Sequence, residues 1–128
     1  MLDTAELARL RDERGLDEAA MELHRSLRGK VASQPKAELT AQTLELLYTP
    51  GVGTISRALA DDPGAARELT GRGNAVAVVS DGSAVLGLGD EGPVAAMPVL
   101  EGKALLFKAL AGIDAVPLAL KVDSPDAF

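Results

Sequence analysis

Two side chains of this sequence have settings that suit proton transfer. Between Pro98 and Gly112 the chain reads PVLEGKALLFKALAG, where Val99, Leu100, Leu106, Phe107, Leu110 and Ala111 recur at helical spacing as one apolar stripe. Lys103 lies inside the stripe, three or four residues from Val99, Leu100, Leu106 and Phe107, and residues so spaced are neighbours on a helix. An apolar setting penalises the ammonium form and lowers a lysine's pKa, which makes it a usable base near neutral pH. The commoner arrangement is a snorkelling lysine, its stem on the core and its head in water. The second side chain is Tyr48, followed by Thr49-Pro50-Gly51-Val52-Gly53. Pro50 pushes Thr49 out of the helical region, so Tyr48 is expected at a helix end beside a glycine-rich turn. Together they suit removal of a proton from a carbon-bound hydroxyl, or protonation of an enol carbon. A lone tyrosine more often serves as an amphipathic packing residue.

Two further features compete for attention. GLGDEG, from Gly87 to Gly92, has the spacing of a dinucleotide-binding glycine loop. Its preceding segment reads as half of a hairpin, Pro93 and Pro98 disturb the helix that should follow, and the acid expected about twenty residues on falls near Asp114, in a loop. A structural glycine turn is the better reading. His24 lies beside Leu23 and Leu27 with no carboxylate at a telling spacing, and reads as a surface or half-buried imidazole.

Composition narrows the chemistry. The 128 residues are enough for one domain with its own core. Aromatics are 2% of the chain, so the core must come from Ala, Val, Leu and Ile. The formal net charge of −6 argues against nucleic acid, which needs a basic face. With no cysteine and one histidine, thiolate catalysis, disulfides and Cys- or His-rich metal sites are excluded. No run reaches the length of a membrane span, and the charged, amphipathic MLDTAELARLRDERG lacks a signal-peptide core. A cytoplasmic protein with no membrane partner is expected.

The elements that must position Tyr48 and Lys103 follow from period and punctuation. Helices are predicted over Thr4 to Arg14 and, with Asp17 as cap, on to Arg28, separated by Gly15 and closed by Gly29. An extended link carries Pro35. A short helix runs from Thr40 to Leu47, and another carries Val52, Ile55 and Leu59. Asp62-Pro63 starts one more, ending near Gly71. Ala75 to Ser80 and Ala84 to Leu88 read as strands joined by an Asp81-Gly82 hairpin turn. A helical region from Pro93 to Gly112 and a third strand, Val116 to Val122, complete the pattern. The fold class expected is α/β: a small mixed β-sheet flanked by helices, with an N-terminal helical segment. Ser124-Pro125-Asp126 has the form of a helix start with no helix after it, which suggests a sequence cut short.

Several motifs, long and in order, carry a family resemblance. Tyr48-Thr49-Pro50-Gly51-Val52, the run NAVAVVSDGSAVLGLGD from Asn74 to Asp90, MPVLEGKALLFK from Met97 to Lys108, and AGIDAVP from Ala111 to Pro117 resemble the N-terminal domain of the malic enzymes of the compact bacterial type. LHRSLRGK, from Leu23 to Lys30, also fits, and the likeness runs to Phe128. Glu91, in place of an aliphatic residue, and the stretch after Val52 depart from the pattern.

The resemblance implies oxidative decarboxylation of malate to pyruvate and CO2 with NAD or NADP and Mg2+ or Mn2+. In the family a Gly-Lys lysine takes the hydroxyl proton, which is Lys103 here, and a Tyr-Thr-Pro tyrosine protonates C3 of the enolate, which is Tyr48 here. Family metal ligands and the NAD(P)-binding domain follow beyond this stretch. The expectation is thus a single domain over residues 1–128, cut before the dinucleotide domain, binding no cofactor or metal alone and inactive by itself. The N-terminal helices, with Leu7, Leu10, Leu23 and Leu27, are expected to pair with a second chain as a homodimer. The alternative is a stand-alone, non-catalytic binding or regulatory module of the same fold.

Overall fold

The computed structural model describes residues 3–122; the Ser124-Pro125-Asp126 signal lies outside them. Helix α1 (Thr4–Arg14) opens on a reciprocal cap. The Asp3 carboxylate accepts from the Glu6 amide and the Glu6 carboxylate accepts from the Asp3 amide, both at 2.8 Å. Gly15, at φ 86°, ends α1 and precedes α2 (Leu16–Leu27). Asp17 therefore lies in the first turn of α2 rather than at its cap, where its charge still favours the helix dipole. The His24 ring nitrogen Nδ1 is 2.7 Å from the Ala20 carbonyl of its own helix. Arg28 (φ 55°) and Gly29 (φ 119°) then turn the chain sharply out of α2.

Helix α3 (Ala41–Leu47) is capped by Thr40 and Thr43, and α4 (Val52–Asp61) follows the Tyr48–Gly51 turn. Asp62 accepts from the Gly64 amide at 2.9 Å and Pro63 takes the first position of a short 3-10 turn leading into α5 (Ala66–Leu69). Strand β1 (Ala75–Ser80), helix α6 (Gly92–Ala111) and strand β2 (Asp114–Ala119) form the α/β unit. β1 and β2 are parallel, paired from Ala75 opposite Asp114 to Ser80 opposite Ala119, and α6 packs across both.

The expected α/β class holds, but the hairpin does not form. Residues 84–88 are turns, not a strand. The amides of Glu91 and Gly92 both donate to the Gly82 carbonyl at 3.1 Å, and the Val85 amide donates to Gly89 at 2.8 Å. Gly87 and Gly89 remove the side chains that would support a strand there, and the chain closes into a compact loop around buried Val85. β1 instead finds its partner beyond α6, and that partner begins at Asp114, two residues earlier than expected.

Helix α6 also differs from its expected orientation. The buried line is Ala96, Leu100 and Ala104, four residues apart, and these small side chains allow the helix to lie close on a two-stranded sheet. Leu106 is 57% exposed and Leu110 82% exposed, so most of the apolar stripe faces outward. A two-stranded sheet covers only a narrow band of a helix, and the rest of the stripe is uncovered.

Candidate active site

Tyr48 ends α3, its amide donating to Leu44 at 2.9 Å. The chain then folds back on the helix it has left. The Gly51 amide donates to Glu45 at 2.9 Å and the Val52 amide to Tyr48 at 2.6 Å; the Thr49–Pro50 bond is cis. A Cβ on Gly51 would stand 2.6 Å from the Leu46 carbonyl oxygen and 2.7 Å from that of Glu45. Only glycine fits that approach, which gives the Tyr-Thr-Pro-Gly motif a mechanical basis. The result is a tyrosine presented outward, 65% exposed.

Lys103 sits on the outward side of α6 and is exposed. The desolvation expected from the stripe is not provided by the sheet, because the covered face is that of Ala96, Leu100 and Ala104. Lys103 follows a weak stretch of helix. Pro98 supplies no amide to the Val94 carbonyl, and relative to alanine a mid-helix proline and glycine cost about 3 and about 1 kcal/mol; Pro98 and Gly102 both precede Lys103 within α6. No hydrogen bond joins Tyr48 to Lys103 among the described residues, which lie on separate elements.

The loop between β1 and α6 lies at the carboxyl end of the parallel pair, where ligands of α/β sheets gather. The strand before GLGDEG does open a parallel unit, contrary to the hairpin reading. The amides at the end of that motif, however, are taken by the Gly82 carbonyl. Ser83 holds Asp81 through its amide at 3.0 Å and its hydroxyl at 2.7 Å, and these donors keep the Asp81 carboxyl below its ordinary pKa.

At the opposite end of the unit, sequence reasoning missed a cluster. Lys108 Nζ lies 2.6 Å from Asp114 Oδ1, and the Asn74 amide nitrogen donates to Asp114 Oδ2 at 3.1 Å and to the Gly112 carbonyl at 2.9 Å. The bond from Lys108 first, then that from Asn74, pulls the Asp114 carboxyl below its usual pKa. The cluster ties the start of β1, the end of α6 and the start of β2 together. Among the described residues no three His, Asp or Glu side chains converge to hold a metal ion. No described helix is long and apolar enough to cross a membrane.

The malic enzyme, N-terminal domain family matches residues 28–127. The chain is 48% identical over 112 residues to the bifunctional malic/malolactic enzyme of Bacillus subtilis, covering 87% of this chain and 27% of that protein. It is 56% identical over 93 residues to the NAD-dependent malic enzyme of Geobacillus stearothermophilus, covering 72% of this chain and 20% of the relative. Among solved structures, the NAD-dependent malic enzyme of Thermotoga maritima superposes with a TM-score of 0.81 at 54% identity, over 84% of this chain and 30% of that one. The malic enzyme of Entamoeba histolytica superposes at 0.82 and 36% identity, over 98% of this chain and 26% of its own. The chain thus spans between a fifth and a third of the length of these proteins. A tyrosine at a glycine-locked helix end and a lysine on the crossover helix of a parallel β-α-β unit both fall within the matched residues, and the chain belongs to the malic enzyme N-terminal domain family.

Proposed function

We propose that this chain is the substrate-side domain of a malic enzyme, which oxidatively decarboxylates malate to pyruvate and CO2. Lys103 takes the proton of the C2 hydroxyl as hydride leaves C2. Loss of the C4 carboxylate as CO2 leaves the enolate of pyruvate, and Tyr48 returns a proton to C3. NAD or NADP accepts the hydride; the dinucleotide domain and the ligands of a divalent cation, Mg2+ or Mn2+, belong to a further part of the protein.

The observation that carries this reading is uncovered surface. The chain exposes 10084 Å², whereas a compact monomer of its mass exposes roughly 6,400 Å². The excess is larger than the roughly 800 Å² each partner buries in a standard interface. Tyr48 and the outward stripe around Lys103 lie on that surface, so covering it takes both groups out of water. A second domain and a second copy of the chain, paired through α1 and α2, are the covering elements.

The intact mass of the protein in its source cell tests this. A mass of roughly 30–45 kDa is expected. A mass near 13.2 kDa overturns it and favours the stand-alone module; malate-dependent NAD(P)H formation by the 128-residue chain alone overturns both the need for a further domain and the non-catalytic module.

A further inference from the structure

We infer that Lys30 is a positioning residue for Lys103, an inference that rests on the proposed role of Lys103 as the base. Lys30 Nζ donates to the Pro98 carbonyl at 2.6 Å across 68 residues of sequence. Arg28 at φ 55° and Gly29 at φ 119° turn the chain out of α2 and onto α6. Gly29 is close enough that a Cβ there would meet Glu101 Oε1 at 3.5 Å. The Arg-Gly-Lys end of the LHRSLRGK motif is therefore a hook: two left-handed residues turn the chain, and an ammonium latches it.

The place of the latch matters. Pro98 interrupts the amide ladder of α6 and Gly102 loosens it, so the turn between them is the least self-supporting part of the helix. Lys103 follows at once. A charged donor on the Pro98 carbonyl makes a stronger bond than a neutral one and fixes that turn from outside. Lys30 lies off the Lys103 face and acts through the helix, not on substrate.

The test uses Lys30→Met and Lys30→Arg in the complete enzyme containing this domain, with hydrogen exchange of the 128-residue chain in parallel. In Lys30→Met, kcat with malate should fall roughly tenfold or more, the scale of a misplaced catalytic group, while KM for the dinucleotide stays within about twofold. Lys30→Arg, which can still reach a carbonyl, should recover most of the rate. In the chain, amides 99–104 should exchange faster in Lys30→Met, with β1 and β2 unchanged. Wild-type kcat in Lys30→Met, or unchanged exchange over 99–104, overturns the inference; so does a rate loss that Arg does not restore and that follows a general loss of folded protein. Full turnover in Lys103→Ala would sink the base assignment instead, and the exchange result would still report whether Lys30 braces the turn.

Discussion

Gly82 and Gly92 meet backbone to backbone: the Gly92 amide donates to the Gly82 carbonyl at 3.1 Å, and a Cβ on Gly82 would lie 2.0 Å from the Gly92 carbonyl oxygen. This contact closes the loop between β1 and α6 and sets where α6 begins. Gly82 also holds φ +80°, a left-handed conformation that strains any other residue. Gly82→Ala should therefore cost about 2 kcal/mol or more and lower the thermal midpoint of the chain by several degrees. Gly87→Ala is the control, with nothing within 4 Å of its Cβ, and should shift the midpoint little. Equal midpoints for the two variants in a circular dichroism melt would refute the contact.

Acid should loosen the other end of the unit. The Asp114 carboxyl, held down by Lys108 and Asn74, has a lower pKa folded than unfolded. Its contribution is complete above the unfolded value of about 3.9 and is lost as pH falls through the folded value. Asp81, held down by Ser83, acts in the same direction. Urea denaturation between pH 6 and pH 2 should show stability falling at the acid end, and less steeply in Asp114→Asn. Parallel curves for the two proteins would contradict this.

Lys103→Ala in the complete enzyme should lower kcat by roughly 10² to 10⁴, the usual contribution of a positioned base. Dinucleotide affinity by fluorescence titration should stay unchanged, because the lysine is assigned to the malate hydroxyl. A variant with full turnover returns Lys103 to the role of a snorkelling surface lysine.

Tyr48→Phe separates the acid from the base. It should slow enzyme-catalysed exchange of the C3 protons of pyruvate with D2O by roughly 10²-fold, since that exchange runs through the same enol. NMR of the methyl signal reads it directly, and wild-type exchange in Tyr48→Phe would remove the tyrosine from the proposal.

The helical pair α1 and α2 should hold two copies together. Leu16 and Met21 of α2 are exposed, and Leu23 is half-buried. Light scattering at micromolar concentration should give twice the 13.2 kDa chain mass for this domain. A monomer would overturn the pairing, and a dimer unaffected by Met21→Asp would place the interface elsewhere.

Local punctuation was well read from the sequence, and pairing was not. The bounds of β1, Ala75 to Ser80, match the expected strand, and Asp62-Pro63, Thr40 and Gly15 start or stop elements where capping chemistry says they should. These signals act within a few residues. The hairpin reading failed because Asp81-Gly82 is a true turn whose outgoing chain had a better use, closing on Gly92, than pairing with β1. The face of α6 was misjudged because the apolar stripe carries more surface than one small sheet can cover. Asn74 with Asp114, and Lys30 with Pro98, join residues 40 and 68 apart; no local pattern marks either pair. Tyr48 and Lys103 stood out by motif, and Pro98 already marked a disturbed helix before Lys103, but the glycine lock beneath Tyr48 became visible only in the fold.

The parallel pairing of β1 with β2 also sets an order of events during synthesis. A hairpin strand finds its partner within a few residues of leaving the ribosome, whereas Ser80 waits for Ala119. Throughout that interval the nascent chain carries AVAVVS, an apolar strand with both edges open and hence prone to pair with a neighbouring chain. The exposure lasts from the emergence of β1 to the emergence of β2, so the yield of soluble protein should depend on how quickly β2 follows β1 out of the ribosome.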